Sequence, residues 1–383
     1  MDEKSTVPED NTSTIEDKVK DTASTEFEKT CIFIAENGHQ YHKTVHDLGG
    51  TDPKEYHNLG HIYTVEDRAK LLPPIFKLSA DQQAEMLMAI AWHDSVINYD
   101  LPDSNNIVAM IKRHGGATEQ DTPYGLQGNE AKSFELLNTR MLQFNFSQES
   151  LDTVKSIISA TYSKADLGTD FQGAIFSDYA FYKIALSQNP KLAETIQFLN
   201  SNGIDRGLHI SQPYFEEMLD QGVEPQVLIT ALSDLGDVGT AEKEMFFRNG
   251  DAEMRELFYN INQPGTLQRL INGATEQDKK DRSQVVDTFI KWQKTEVGFA
   301  VWQALRFEKT IYLLNQHKII DSEQETALRG VFNHFTDNII ACYRRLIDVQ
   351  QTYTKYVEQD EEQQAFLNLL ETLHYRIPSS DVD

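Results

Sequence analysis

A few short stretches hold the residues most able to do chemistry. EYHNLGHIYTV, at 55–65, places His57 and His61 four apart. AIAWHDSVINYD, beginning at Ala89, carries an adjacent His93-Asp94 among apolar neighbours. An unpaired carboxylate in such a setting is costly, so something cationic must compensate it. Imidazole and carboxylate together suit a hard or borderline divalent ion. A pair of histidines at this spacing is incidental in most chains, and a metal needs more partners than two. His61, His93 and Asp94 supply three. The fourth should be a carboxylate from a later helix. Two compete: Asp178 in AIFSDYAFYKIAL and Asp234 in the more strongly apolar PQVLITALSDLGDVG. Four ligands leave two positions of an octahedron open for water and a substrate oxygen. Water bound there is acidic enough to act as hydroxide near neutral pH.

The elements that must position these residues read as helices almost throughout, with strand-like alternation scarce, so the predicted fold class is all-α. A helix is expected over 57–72, stopped by Pro73-Pro74. Ser79-Ala80-Asp81-Gln82 is a capping box for the next, which runs through MLMAIAWHDSVI. Consecutive helical residues point about 100° apart. His93 and Asp94 would therefore straddle a centre, leaving one side for His61. Residues 100–128 form a long connection with one helical turn near 107–113. Helices follow over 129–143 and 148–162. The region 163–222 is less regular, with short helices near 175–187 and 191–201, and Pro225 opens the helix PQVLITALSD. From Glu276 two or three long helices are expected, with a capping box at Ser322-Glu323-Gln324-Glu325.

The order H…HD…D resembles the HD superfamily of helical, metal-dependent phosphohydrolases. Tyr56-His57-Asn58-x-x-His61 is similar to the YHNxxH motif of cyclic nucleotide phosphodiesterases, which share that helical core. The chain further resembles a bacterial branch with an AAAWHD-like helix, an NE-x-x-S motif and an A-L-x-D-L-G stretch. Here these are Ala89–Asp94, Asn129-Glu130-Ala131-Lys132-Ser133 and Ala231-Leu232-Ser233-Asp234-Leu235-Gly236. FFRNGDAEMRELF at 246–258 continues the likeness, which covers most of the chain except its first residues and the last forty or so. The resemblance favours Asp234 over Asp178 and makes 163–210 largely an insertion. It implies an HD-type domain over 28–262; the acidic, Ser- and Thr-rich composition of 1–27 reads as a disordered tail, and 263–383 as a helical part that packs on the domain or extends from it. The resemblance also implies that His57 is the general acid for the leaving oxygen. Glu130 either orients water or holds His57, or else caps its helix.

Phosphate would need local attraction, because the chain carries 60 acidic against 35 basic residues, a formal net charge of −25. Such a field disfavours nucleic acid duplexes and anionic membranes. Lys112, Arg113 and His114 form the compact basic cluster nearest the ligands in sequence, and Lys132 is a further phosphate contact. The expected ligand is a small phosphorylated molecule, plausibly a nucleotide, and the expected cofactor one divalent ion per chain (Mn, Mg, Fe, Ni or Zn). Two-metal relatives use further histidines between the HD pair and the last Asp; here only His114 and His209 lie in that interval. No apolar run approaches a membrane span of about 20 residues, and the first residues do not read as a signal peptide. With only Cys31 and Cys342 as thiols, a cytoplasmic setting is expected. The C-terminal helices could serve a second copy or a protein partner. The alternatives to hydrolysis are a binding or regulatory protein on the same scaffold and an iron oxygenase.

Overall fold

The computed structural model describes residues 24–103, 105–113, 128–171, 186–358, 362–375 and 377. They fold as helices with two small antiparallel ladders. Thr25 caps α1 (Glu26–Val45) by accepting from the Glu28 N–H. Asn58 caps α2 (Leu59–Ala69), its side chain accepting from Gly60 and His61. That cap fixes the boundary, so α2 is shorter than the predicted 57–72 and leaves His57 outside it. Pro73 opens the single turn α3 (Pro73–Phe76), and the Ser79/Gln82 box opens α4 (Ala80–Ile90) as expected.

α4 stops before His93-Asp94, contrary to the expectation that both lie within the helix. Trp92 and His93 donate to carbonyls three residues back, Ala89 and Ile90, which tightens the last turn. The Trp92 indole donates to the Ile34 carbonyl of α1 at 2.9 Å and pins that turn. β1 (Tyr99–Asp100) then pairs with β2 (Lys112–Arg113), so a short strand ends the stretch where a helical turn was expected.

α5 (Gly128–Gln143) and α6 (Gln148–Ser159) follow. The region expected to hold only short helices contains the longer ladder. β3 (Lys164–Asp170) pairs with β4 (Arg206–Ser211) in antiparallel register, Lys164 against Ser211 and Asp170 against Arg206. Between them lies α7 (Pro190–Ser201), close to the expected 191–201. Most of the other expected helix, 175–187, lies outside the described residues, as does Asp178. α8 (Pro213–Gln221) and α9 (Pro225–Asp234) come next, with Pro225 at the first turn. A single turn α10 (Asp237–Thr240) leads into α11 (Lys243–Leu257), α12 (Tyr259–Asn262) and α13 (Pro264–Asn272).

The rest is α14 (Glu276–Gln316), α15 (Ser322–Val331), α16 (Phe335–Glu358) and α17 (Glu362–Thr372). The cap of α15 is Asp321, one residue before the expected Ser322, because its carboxylate takes both the Glu323 and Gln324 N–H groups. α14 has 41 residues and is therefore about 60 Å long. It passes through three apolar cores. Val285, Phe289 and Trp292 pack with Met254, Val349 and Phe366. Val297, Val301 and Leu305 pack with Leu192, Ile196 and Ile339. Phe307, Ile311 and Leu314 enter the core built by α1, α2, α4, α6 and α9. Residues on both sides of position 262 thus share each interior. No helix among the described residues is long and apolar enough to cross a membrane.

Candidate metal centre

Four side chains from three places in the chain converge. His61 sits in the first turn of α2, His93 and Asp94 in the turn after α4, and Asp234 at the last residue of α9. All four are buried, and each offers a ligand atom within 4.8 Å of the others. Asp94 Oδ2 lies 3.3 Å from His61 Nε2 and 3.0 Å from His93 Nε2. Asp234 Oδ1 lies 3.8 Å and 3.5 Å from the same two nitrogens. Neither Nε2 has a hydrogen-bond partner, although both are sealed from solvent. Orphaned buried polar atoms of this kind are rare. His93 Nδ1 faces the Ile90 carbonyl at 2.7 Å. It must donate there, which leaves the Nε2 lone pair aimed at the cluster, as in metal-binding histidines. Two nitrogens and two carboxylates within this span could hold a divalent ion.

The electrostatics favour positive charge at this point. Burial opposes a protonated His93, but Asp94 and Asp234 outweigh it and push its pKa well above the usual imidazole value. Burial likewise works to raise Asp94, and His93 and His61 more than reverse it, holding the carboxyl well below its usual range. His61, where burial dominates over the help of Asp94, is pushed down. The C-terminal ends of α4 and α9 add partial negative charge of their own.

His57 lies beside the cluster, its ring centroid 5.7 Å from that of His61. It is held by a residue that the motifs did not single out. Glu256 of α11 accepts from His57 Nδ1 at 2.6 Å and from the backbone N–H groups of Tyr56 and His57 at 2.8 and 3.2 Å. The Tyr99 hydroxyl, on β1, donates to the same carboxylate at 2.5 Å and stands 3.2 Å from His57 Nδ1. Burial alone would raise Glu256, but His57, Tyr99 and the Tyr56 N–H together bring its pKa down to about 2. Glu256 is thus a carboxylate that holds His57. Glu256 lies inside the quoted stretch FFRNGDAEMRELF, so its one signal was an acid within an amphipathic helix.

A buried arginine, Arg68, and a half-buried one, Arg306, brace the cluster from behind. Arg68, two turns along α2 from His61, donates to the Ser233 carbonyl at 2.5 Å and pairs with Asp237, tying α2 to the end of α9. Arg306 of α14 donates to the Gln212 side-chain oxygen and to the Ala231 carbonyl, and Gln212 in turn donates to Asp234 Oδ2 at 3.1 Å. Burial lowers both guanidinium pKa values to about 10, which leaves them charged at neutral pH. The Asn129 and Ser133 positions also have a role. Asn129 Oδ1 accepts from the Asn98 N–H and Ser133 Oγ from the Val96 N–H, both at 3.0 Å, and so hold the segment that follows His93-Asp94.

The remaining predicted residues fare differently. Glu130 is buried in the first turn of α5. Lys132 is exposed on the same helix and is not brought into the cluster. Lys112 and Arg113 form β2, paired with the strand that carries Tyr99. His114 lies outside the described residues. His209 is no ligand of this cluster; its ring packs against Trp302 with centroids 4.4 Å apart. Comparison with family models, with curated proteins and with solved structures finds no match to this chain.

Proposed function

We propose that the chain is an HD-type, metal-dependent phosphohydrolase that cleaves a phosphate ester of a small molecule such as a nucleotide. One observation carries this: two sealed imidazole nitrogens without a hydrogen-bond partner face two carboxylates, with a third histidine beside them. His61, His93, Asp94 and Asp234 would hold the ion. When bound, it supplies Lewis-acid polarisation of a phosphoryl oxygen and a water acidic enough to attack it. Mixed imidazole and carboxylate donors suit Mn, Fe, Ni, Zn or Mg.

The chain's own residues supply the rest. Ionised Glu256 can only accept, so His57 carries its bound hydrogen on Nδ1 and uses Nε2 as the proton-transferring atom. His57 then protonates the leaving oxygen. Tyr99 and the backbone N–H groups keep Glu256 ionised and in place. Metal analysis of purified protein should find about one equivalent of a divalent ion, and a screen of phosphomonoesters and phosphodiesters should find turnover. Asp94→Ala should lose both. Full turnover by metal-free Asp94→Ala protein would end this proposal.

A further inference from the structure

A second concave site lies between α7, α11, α16 and α17, with a volume of about 880 Å³ and none of the four ligands in its wall. That is the size of a small-molecule pocket, roughly 300–1,000 Å³. Its charge balance inverts that of the chain. Five Lys and Arg side chains line it against three Asp and Glu, whereas the sequence holds 35 against 60. Two of those acids are engaged: Asp337 pairs with Lys191 at 3.0 Å and Glu244 with Lys243 at 3.6 Å. Arg248 and Arg344 are exposed on the wall and form no ion pair among the described residues. Asp348 is the remaining acid.

The floor is built rather than loose. Asp251, fully buried, accepts from Arg345 Nη2 and from His374 Nδ1, each at 2.6 Å. Arg345 also donates to the Thr372 carbonyl at 2.8 Å, and its guanidinium lies 4.6 Å from the centre of the Phe247 ring. His374 adopts φ 54 to stand there, an uncommon conformation for a residue other than glycine. Phe247, Tyr353 and Leu369 give the cavity an apolar side.

From this arrangement we infer a second ligand site, for a small phosphorylated organic molecule of nucleotide size. Arg248 and Arg344 take the phosphate, which two unengaged guanidinium groups match in charge and in hydrogen-bond geometry. The Phe247 and Tyr353 side takes the organic body. A chain this acidic repels anions at a distance, so an anion is held only where cations such as Arg248 and Arg344 line a cleft. The site is independent of the chemistry proposed at the metal centre.

Calorimetric titration of the whole chain with AMP tests it, in an Asp94→Asn background that disables the metal centre. Saturable one-site binding is expected, weakened about tenfold or more by Arg248→Ala or Arg344→Ala and lost when both are reversed to Glu. Both arginines are exposed, so these variants should keep the wild-type melting temperature. Inorganic phosphate should bind more weakly than AMP. Absence of AMP binding, binding that survives the double reversal, or phosphate binding as tight as AMP would each overturn the assignment.

Discussion

His57 stands outside the helix that carries His61, and a carboxylate 199 positions away orients its ring. The two histidines therefore answer to different supports and can be separated by mutation. Glu256→Gln keeps the shape but no longer holds a charged partner against His57. Its kcat should fall about ten- to a hundredfold while the metal content stays unchanged. His57→Ala should cost more, about 10²–10⁴ in kcat, again with the ion retained. Loss of metal in either variant would mean that His57 belongs to the ligand set. Arg68→Ala acts elsewhere: it leaves Asp237 buried without its guanidinium, so a loss of stability on the order of 3–5 kcal/mol should appear in denaturant melts.

Among the elements, β4 and α14 approach each other closely. Gly207 and Gly298 meet backbone to backbone, and a Cβ on either would overlap the other's Cα. Gly207→Ala and Gly298→Ala should each destabilise the fold by about 1–3 kcal/mol or more, read as a lower melting temperature, whereas Gly265→Ala, with open space around it, should not. This crossing also explains what the sequence could and could not disclose. The Ser79/Gln82 box and Pro225 announced α4 and α9 because their signals are local. KADLGTD and RGLHIS gave little sign of strands, because that ladder is stabilised by its own pairing and by α14, almost a hundred residues later. His61, His93 and Asp94 were legible because imidazole and carboxylate in apolar segments are costly without a purpose, whereas Asp234 had a rival in Asp178. Glu256, Tyr99, Gln212 and Arg306 were not legible, since each is ordinary in its own segment and gains meaning only through a contact distant in sequence.

Across the whole molecule, α11, α14 and α16 meet around Glu296, a buried acid whose Oε2 has no hydrogen-bond partner. Burial raises its pKa from 4.5 to about 8, with Asp251 and Glu253 adding to the rise and Arg345 and Trp292 opposing it. The folded protein thus holds this proton more tightly than the unfolded chain does. The contribution is full below about 4.5 and disappears as pH rises through about 8. Stability should decline across that window by an amount on the order of a few kcal/mol, and Glu296→Gln should flatten the decline. Equal slopes in wild type and variant would show that Glu296 is already ionised. The same long helix has a consequence for how the protein is made. His61, His93, Asp94 and Asp234 all leave the ribosome before α14 does, yet Arg306, which steadies Asp234 through Gln212, comes later. A nascent chain stalled before Glu276 would carry every ligand and still lack the wall behind them. The four-residue cluster therefore gains its full support only once α14 has been made, and the apolar faces of α2, α4 and α9 that Phe307, Ile311 and Leu314 cover stay open until then.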